Sequence, residues 1–155
     1  MPFLIGDGIG HGAQITAAMA MGAAGVIIGT RFLVAEEIWA HEGYKQVLID
    51  ACETDTTLCM QSIRNTARGL KNKTTAAVQE LENSKNDVTI EDLLPFISGE
   101  VGYNAYVTGD TSKGILVAGH ALAFLKKQQP LADIVASLGK EANLALTRTQ
   151  QIMSL

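Results

Sequence analysis

Residues 1–32, MPFLIGDGIGHGAQITAAMAMGAAGVIIGTRF, decide the fold. Phe3, Leu4 and Ile5 form a short apolar run that stops at glycine, the pattern of a strand buried on both faces. The loop GDGIGHG (6–12) follows. Gln14–Met21, rich in Ala and Met, then predicts a helix ended by Gly22. Gly25–Ile28 predicts a second buried strand, closed by GTRF (29–32). Strand, glycine loop, helix and strand within about thirty residues make a parallel βαβ unit with a right-handed crossover.

Downstream the apolar period changes. A helix is expected from about Ala35 to Ala51, where Ile38, Tyr44, Val47 and Leu48 give a partial stripe. Thr56–Ile63 is β-branched enough for a short strand. Arg64–Glu82 is mixed, with helical character at Thr75–Leu81, and Asn83–Asn86 reads as a polar linker. Thr89 and Asp92 stand at capping-box spacing ahead of Leu93 and Leu94. Two helices are expected in the last third. One is capped by Asp110 or Thr111 and runs to about Lys127; the other is opened by Pro130, with Leu131, Ile134, Val135 and Leu138 at core spacing.

The chemistry-bearing feature is the pair of strand ends, Gly6–Gly12 and Gly29–Thr30. A phosphate needs several backbone N–H groups aimed at it with no side chains in the way. Glycines between a strand end and a helix supply them, and the helix dipole favours the negative charge. Two such loops on neighbouring parallel strands make a cup, with the Thr30 hydroxyl as a further donor. Either loop alone reads better as a tight βα turn; the two together favour a phosphate site. Gly8, Gly10 and Ala13 also fit a dinucleotide-binding G-x-G-x-x-A pattern, with Arg31 placed to meet a 2′-phosphate. No third βα repeat follows to complete that half-domain.

Composition bounds the rest. The chain has 155 residues, 47% of them apolar, enough for a core, and a net charge of −4. Its 12 basic residues are scattered, so no positive face for nucleic acid is expected. The apolar stretch Ala17–Ile28 is broken by Gly22 and Gly25 and is too short for a bilayer. MPFLIGDG has no basic leader and runs straight into a strand, so a cytoplasmic location is expected. Cys52 and Cys59 lack CxxC spacing and read as reduced, buried or half-buried thiols.

The stretch 1–32 resembles the last two strand units of the nitronate monooxygenase family, formerly 2-nitropropane dioxygenases. That family includes flavin-dependent NAD(P)H:quinone reductases and is similar to flavin-type enoyl reductases. The resemblance continues through AEEIWAHEGYKQVLIDACETDTT (35–57) and SIRNTARGLKN (62–72), and ends in GDTSKGILVAGHALAFLKKQQPLADIVASL (109–138). GTRF and RNTAR are its most specific pieces. It implies an α/β fold: the carboxy-terminal part of a (β/α)8 barrel, its last two βα units in 1–35, followed by a mainly helical region, 36–155. Such barrels commonly hold a phosphate near strands seven and eight. The implied cofactor is FMN, with Gly8, Gly29 and Thr30 as phosphate contacts and Gly6 as backing. Where the family usually has Gly-Gly, this chain has Asp7-Gly8. The Asp7 amide is retained; its carboxylate either sits near the phosphate and repels it, or points away and caps the following helix.

A barrel of this kind takes about 250 residues and eight strands. The family's general-base histidine and most flavin-ring contacts lie on earlier strands, so the resemblance implies no catalytic residue here. Two barrel strands alone leave open sheet edges, which implies a piece of a longer polypeptide, pairing with a second copy or a complementing chain, or refolding into a compact α/β domain. In the complete enzyme NAD(P)H and a small-molecule substrate, a nitronate or quinone, would meet the flavin. A non-catalytic oligomeric or binding module is the alternative.

Single residues weigh less. His11 reads as a helix cap or an exposed residue, His41 as a surface helix residue, and His120 as either a flavin neighbour or a hydrogen-bonded core histidine. No two share metal-ligand spacing. Arg64 and Arg68 could pair with a phosphate, and read more readily as partners of nearby acids. Trp39 and the methionines read as packing.

Overall fold

A computed structural model describes residues 1–154. They gather into two compact units, Met1–Ile38 with the segment from Ala121 onward, and Trp39–His120.

The first unit is built on the expected βαβ element, although Phe3, Leu4 and Ile27, expected in buried strands, are exposed. Strand β1 (Leu4–Ile5) pairs in parallel with β2 (Gly25–Val26), Leu4 opposite Gly25 and Ile5 opposite Val26. The pairing extends past both ends, through Ala24 N–H to the Phe3 carbonyl (2.8 Å) and Ile27 N–H to the Ile5 carbonyl (2.9 Å). Helix α1 (Gly12–Ala20) makes the crossover. It begins two residues ahead of Gln14 because His11 caps it, its Nδ1 accepting from Ala13 N–H at 3.0 Å. Across its length it lies on α6 (Leu131–Met153), the Thr16 hydroxyl donating to the Ala142 carbonyl at 2.8 Å. Pro130 takes the cap position, so Leu131 is the first helical residue. Ile134 and Leu138 are buried with Ala35, against Ile15, Ile28 and Phe32. Ile134 and Leu138, withdrawn from water, each contribute about 1.5–3 kcal/mol. Leu131 and Val135, expected beside them, are exposed.

In the second unit the helix expected over 35–51 is only α2, Glu42–Asp50. Its cap is His41, whose Nδ1 accepts from Gly43 N–H at 3.0 Å. Tyr44 and Leu48 are its buried stripe. The Tyr44 ring stacks on Tyr106 at 4.4 Å, with the two hydroxyls 3.2 Å apart. Burial first, and then the Tyr106 hydroxyl, push the Tyr44 phenol far above its ordinary range. Trp39, expected in packing, is 66% exposed, although its ring lies 5.5 Å from Tyr106.

Strand β3 (Thr56–Cys59) pairs antiparallel with β4 (Ala67–Leu70), Thr56 opposite Leu70. The strand expected to reach Ile63 stops early, because Met60 (φ 61°) and Arg64 (φ 54°) turn the chain through left-handed conformations. The Glu82 carboxylate holds that turn, accepting from Met60 N–H (3.1 Å), Ser62 N–H (2.8 Å) and the Ser62 hydroxyl (2.6 Å). Arg68 donates to the Thr56 hydroxyl at 3.0 Å.

Helix α3 (Lys73–Ser84) is capped by Asn72 and runs through Asn83, into the stretch that read as a linker. Helix α4 (Ile90–Ile97) carries the expected cap, Thr89 N–H donating to the Asp92 carboxylate at 2.9 Å. Helix α5 (Gly99–Thr108), not expected, ends on Gly109 at φ 75°. The core of this unit is Cys59, Met60, Val78, Val88 and Leu93.

The helix expected from Asp110 to Lys127 does not form. The Asp110 carboxylate accepts from the Ser112 amide and hydroxyl, and Gly114 turns left-handed at φ 79°. The Asn72 amide group fixes that turn by donating to the Thr111 (3.2 Å) and Gly114 (2.9 Å) carbonyls. Residues 116–118 then run beside β4, with Leu70 N–H on the Leu116 carbonyl and Ala118 N–H on the Arg68 carbonyl. Only a short 3-10 turn, His120–Phe124, remains helical. Among the described residues no helix is long and apolar enough to cross a membrane.

Candidate phosphate site at paired strand ends

The parallel pairing of β1 with β2 places the two glycine loops at neighbouring strand ends. Adjacent strands lie about 4.8 Å apart, so the Gly6–Gly8 and Gly29–Thr30 segments leave side by side. Gly6 stands against the end of the second strand, where a Cβ would come 3.3 Å from the Ile27 Cβ. At Gly8 and Gly29 a Cβ would meet nothing within 4 Å. The surface there is bare backbone, open to a ligand.

Asp7 and Gly8 are consecutive left-handed residues, at φ 68° and 73°. Aspartate is among the few non-glycine residues that adopt this conformation readily, which makes Asp7 compatible with a turn suited to Gly-Gly. Asp7 is exposed and does not cap α1; His11 does, which corrects one of the two roles considered for its carboxylate. Thr30 is half-buried and opens a short 3-10 turn, Thr30–Phe32, in which Phe32 N–H reaches the Gly29 carbonyl at 2.9 Å.

The first amides of α1, expected to face the phosphate, are already taken. Gly10 N–H and His11 N–H both donate to Gln14 Oε1 (2.8 and 3.0 Å), Gly12 N–H to Glu141 Oε2 (2.8 Å), and Ala13 N–H to His11. The helix terminus is therefore self-satisfied, and the anion-binding capacity passes to the loop backbone. Gln14 was missed by the sequence reading. Besides accepting those two amides it donates to the Gly8 carbonyl at 3.1 Å, so one side chain sets the whole first loop. Its signal was present, as a Gln at the third helical position of a capping box.

Arg31 follows Thr30 directly and is only 8% exposed. Its Nη1 donates to the Phe124 carbonyl at 2.7 Å, while its buried Nε–H has no hydrogen-bond partner. A buried guanidinium with an unpaired donor costs free energy unless an anion or acceptor approaches it. An anionic ligand suits that charge, and the open backbone at Gly8 and Gly29 suits a phosphate.

The histidines gather nowhere. His11 caps α1 and lies 5.5 Å from the Phe124 ring; His41 caps α2; His120 is exposed, which excludes the core role considered for it. No group of three or more His, Cys, Asp or Glu among the described residues is placed to hold a metal.

Comparison with known proteins bears on the family and the fold. The nitronate monooxygenase family model matches residues 1–141. A nitronate monooxygenase of Paraburkholderia phytofirmans is 29% identical over 152 residues, 97% of this chain and 40% of that protein. Among solved structures, FabK from Thermotoga maritima superposes with a TM-score of 0.88 at 25% identity, over 98% of this chain and 47% of its own. Nitroalkane oxidase from Streptomyces ansochromogenes does so with 0.74 at 26% identity, over 96% and 41%. The α/β fold is therefore that of these proteins. The chain spans less than half the length of each.

Proposed function

The chain belongs to the nitronate monooxygenase family, and from that premise we propose that it is the FMN-phosphate-binding carboxy-terminal portion of a flavin-dependent oxidoreductase. In this reading β1, α1 and β2 are the last two βα units of a (β/α)8 barrel, and residues 1–35 carry the cradle. The observation that supports it is the pair of bare backbone loops at adjacent parallel strand ends, beside a buried arginine with an unpaired N–H.

The backbone of Asp7, Gly8 and Gly29 with Thr30 would hold the phosphate, and Gly6 would back the first loop. Bound FMN supplies the electron transfer between a nitronate or NAD(P)H and oxygen or a quinone; that chemistry is the cofactor's. The chain's own part is to fix the phosphate end. The Asp7 amide would face the anion while its exposed carboxylate points into water, whose high dielectric weakens the repulsion. The test is a titration of the purified chain with FMN, followed by quenching of flavin fluorescence. Saturable quenching at one FMN per chain is expected. FMN fluorescence unchanged by excess protein would remove the reading.

A further inference from the structure

We propose that Arg31 is a positioning residue for the phosphate cradle, acting through the Phe124 carbonyl to hold both glycine loops in one arrangement. The inference rests on the FMN reading above and deepens it.

Arg31 and Phe124 are 93 residues apart, yet Arg31 Nη1 reaches the Phe124 carbonyl at 2.7 Å in a nearly buried setting. The same short segment seals the other loop. A Cβ at Gly10 would lie 2.6 Å from Phe124 Cδ2 and 2.8 Å from the Ala121 Cβ, so ring and methyl sit directly on that glycine. The neighbouring His11 ring lies 5.5 Å from the Phe124 ring, tilted 45°. Gly10 and His11 are in turn tied to Gly8 through Gln14. A continuous line therefore runs from Arg31, beside Thr30, through Phe124 to Gly10 and on to Gly8.

The physical reason for an arginine here is its rigid planar fork. It holds a carbonyl with one N–H while keeping another donor and a permanent charge beside the second loop. Phosphate contacts made by backbone amides fall off steeply with misalignment, so fixing the loops before binding spares the cost of ordering them on binding.

The experiment compares FMN with riboflavin, which has the same ring and no phosphate, in the wild-type chain and in Arg31→Met, Arg31→Lys and Gly10→Ala. Dissociation constants come from fluorescence quenching, and folding is followed by circular dichroism and thermal melting. Arg31→Met should weaken FMN at least tenfold while leaving riboflavin within about twofold, so the FMN preference collapses. Arg31→Lys, which keeps charge and a donor, should recover part of that loss. Gly10→Ala, which displaces the Phe124 ring without touching Arg31, should lower the preference in the same direction.

Equal weakening of both flavins by Arg31→Met, or an unchanged FMN preference in both Arg31 variants, overturns the inference and leaves the cradle standing. If Arg31→Met fails to fold, Arg31→Lys and Gly10→Ala decide, and a full wild-type preference in both overturns it. A wild-type chain with no FMN preference overturns the cradle itself, and this inference with it.

Discussion

The Gly12 amide donates to the Glu141 carboxylate at 2.8 Å, joining two residues 129 positions apart. The contact requires α1 and α6 to cross with almost nothing between them. A Cβ on Gly12 would fall well inside van der Waals contact with the Leu138 carbonyl oxygen and the Ala142 amide nitrogen. Backbone atoms cannot swing away as a side-chain end can. Gly12→Ala should therefore cost at least about 2 kcal/mol, at the upper part of the range for overpacking. Glu141→Ala, which removes a cap but adds no bulk, should cost about 1 kcal/mol. Urea denaturation midpoints at constant slope measure both. A Gly12→Ala chain as stable as wild type would show that the helices have room to part.

This crossing was illegible in the sequence, because nothing local to residues 12 or 141 announces a contact over that separation. The βαβ unit was legible, since short apolar runs and glycine loops leave a local pattern at 3–32. His11 and Gln14 show where locality half succeeds. The pattern placed a helix after the loop, yet the two side chains that consume its first amides turned the helix end from an anion site into a closed cap. The false helix over 110–127 fails for the opposite reason. Leu116 and Ala118 satisfy their backbones on β4, a strand hidden in the mixed composition of 64–82. Distant pairing overrode a local apolar run.

The Asp92 carboxylate is held at about 2, against an ordinary 3.8, first by the Lys85 ammonium and then by the Thr89 amide. A depressed carboxylate favours the folded state when charged. Its contribution is complete above about pH 4, the unfolded value, and is lost as pH falls towards 2. The α4 cap should therefore be insensitive to pH through the neutral range and loosen only in acid. Following the Asp92 carboxyl resonance through an acid titration gives the wild-type value, and Lys85→Met should move it upward. A wild-type midpoint at the ordinary value would refute the pairing.

Cys52 is exposed rather than half-buried, and Cys59 is buried; both are free thiols. Burial, and secondarily the charge of Glu82, push the Cys59 thiol up, so little thiolate forms. A thiol reagent at neutral pH should label one cysteine in the folded chain and two in denaturant. Rapid labelling of both in the folded chain would contradict the buried placement of Cys59 beside Val78 and Leu93.

The phosphate cradle is tested most directly by one ratio, the affinity of the wild-type chain for FMN over its affinity for riboflavin. The two flavins differ only in the phosphate, so the ratio isolates the contribution of the Gly6–Gly8 and Gly29–Thr30 loops. FMN should bind at least tenfold more tightly, equivalent to about 1.4 kcal/mol or more. Raising the salt concentration should narrow the gap as the charge is screened. Equal affinities, or no binding of either flavin, would contradict a phosphate site at these strand ends.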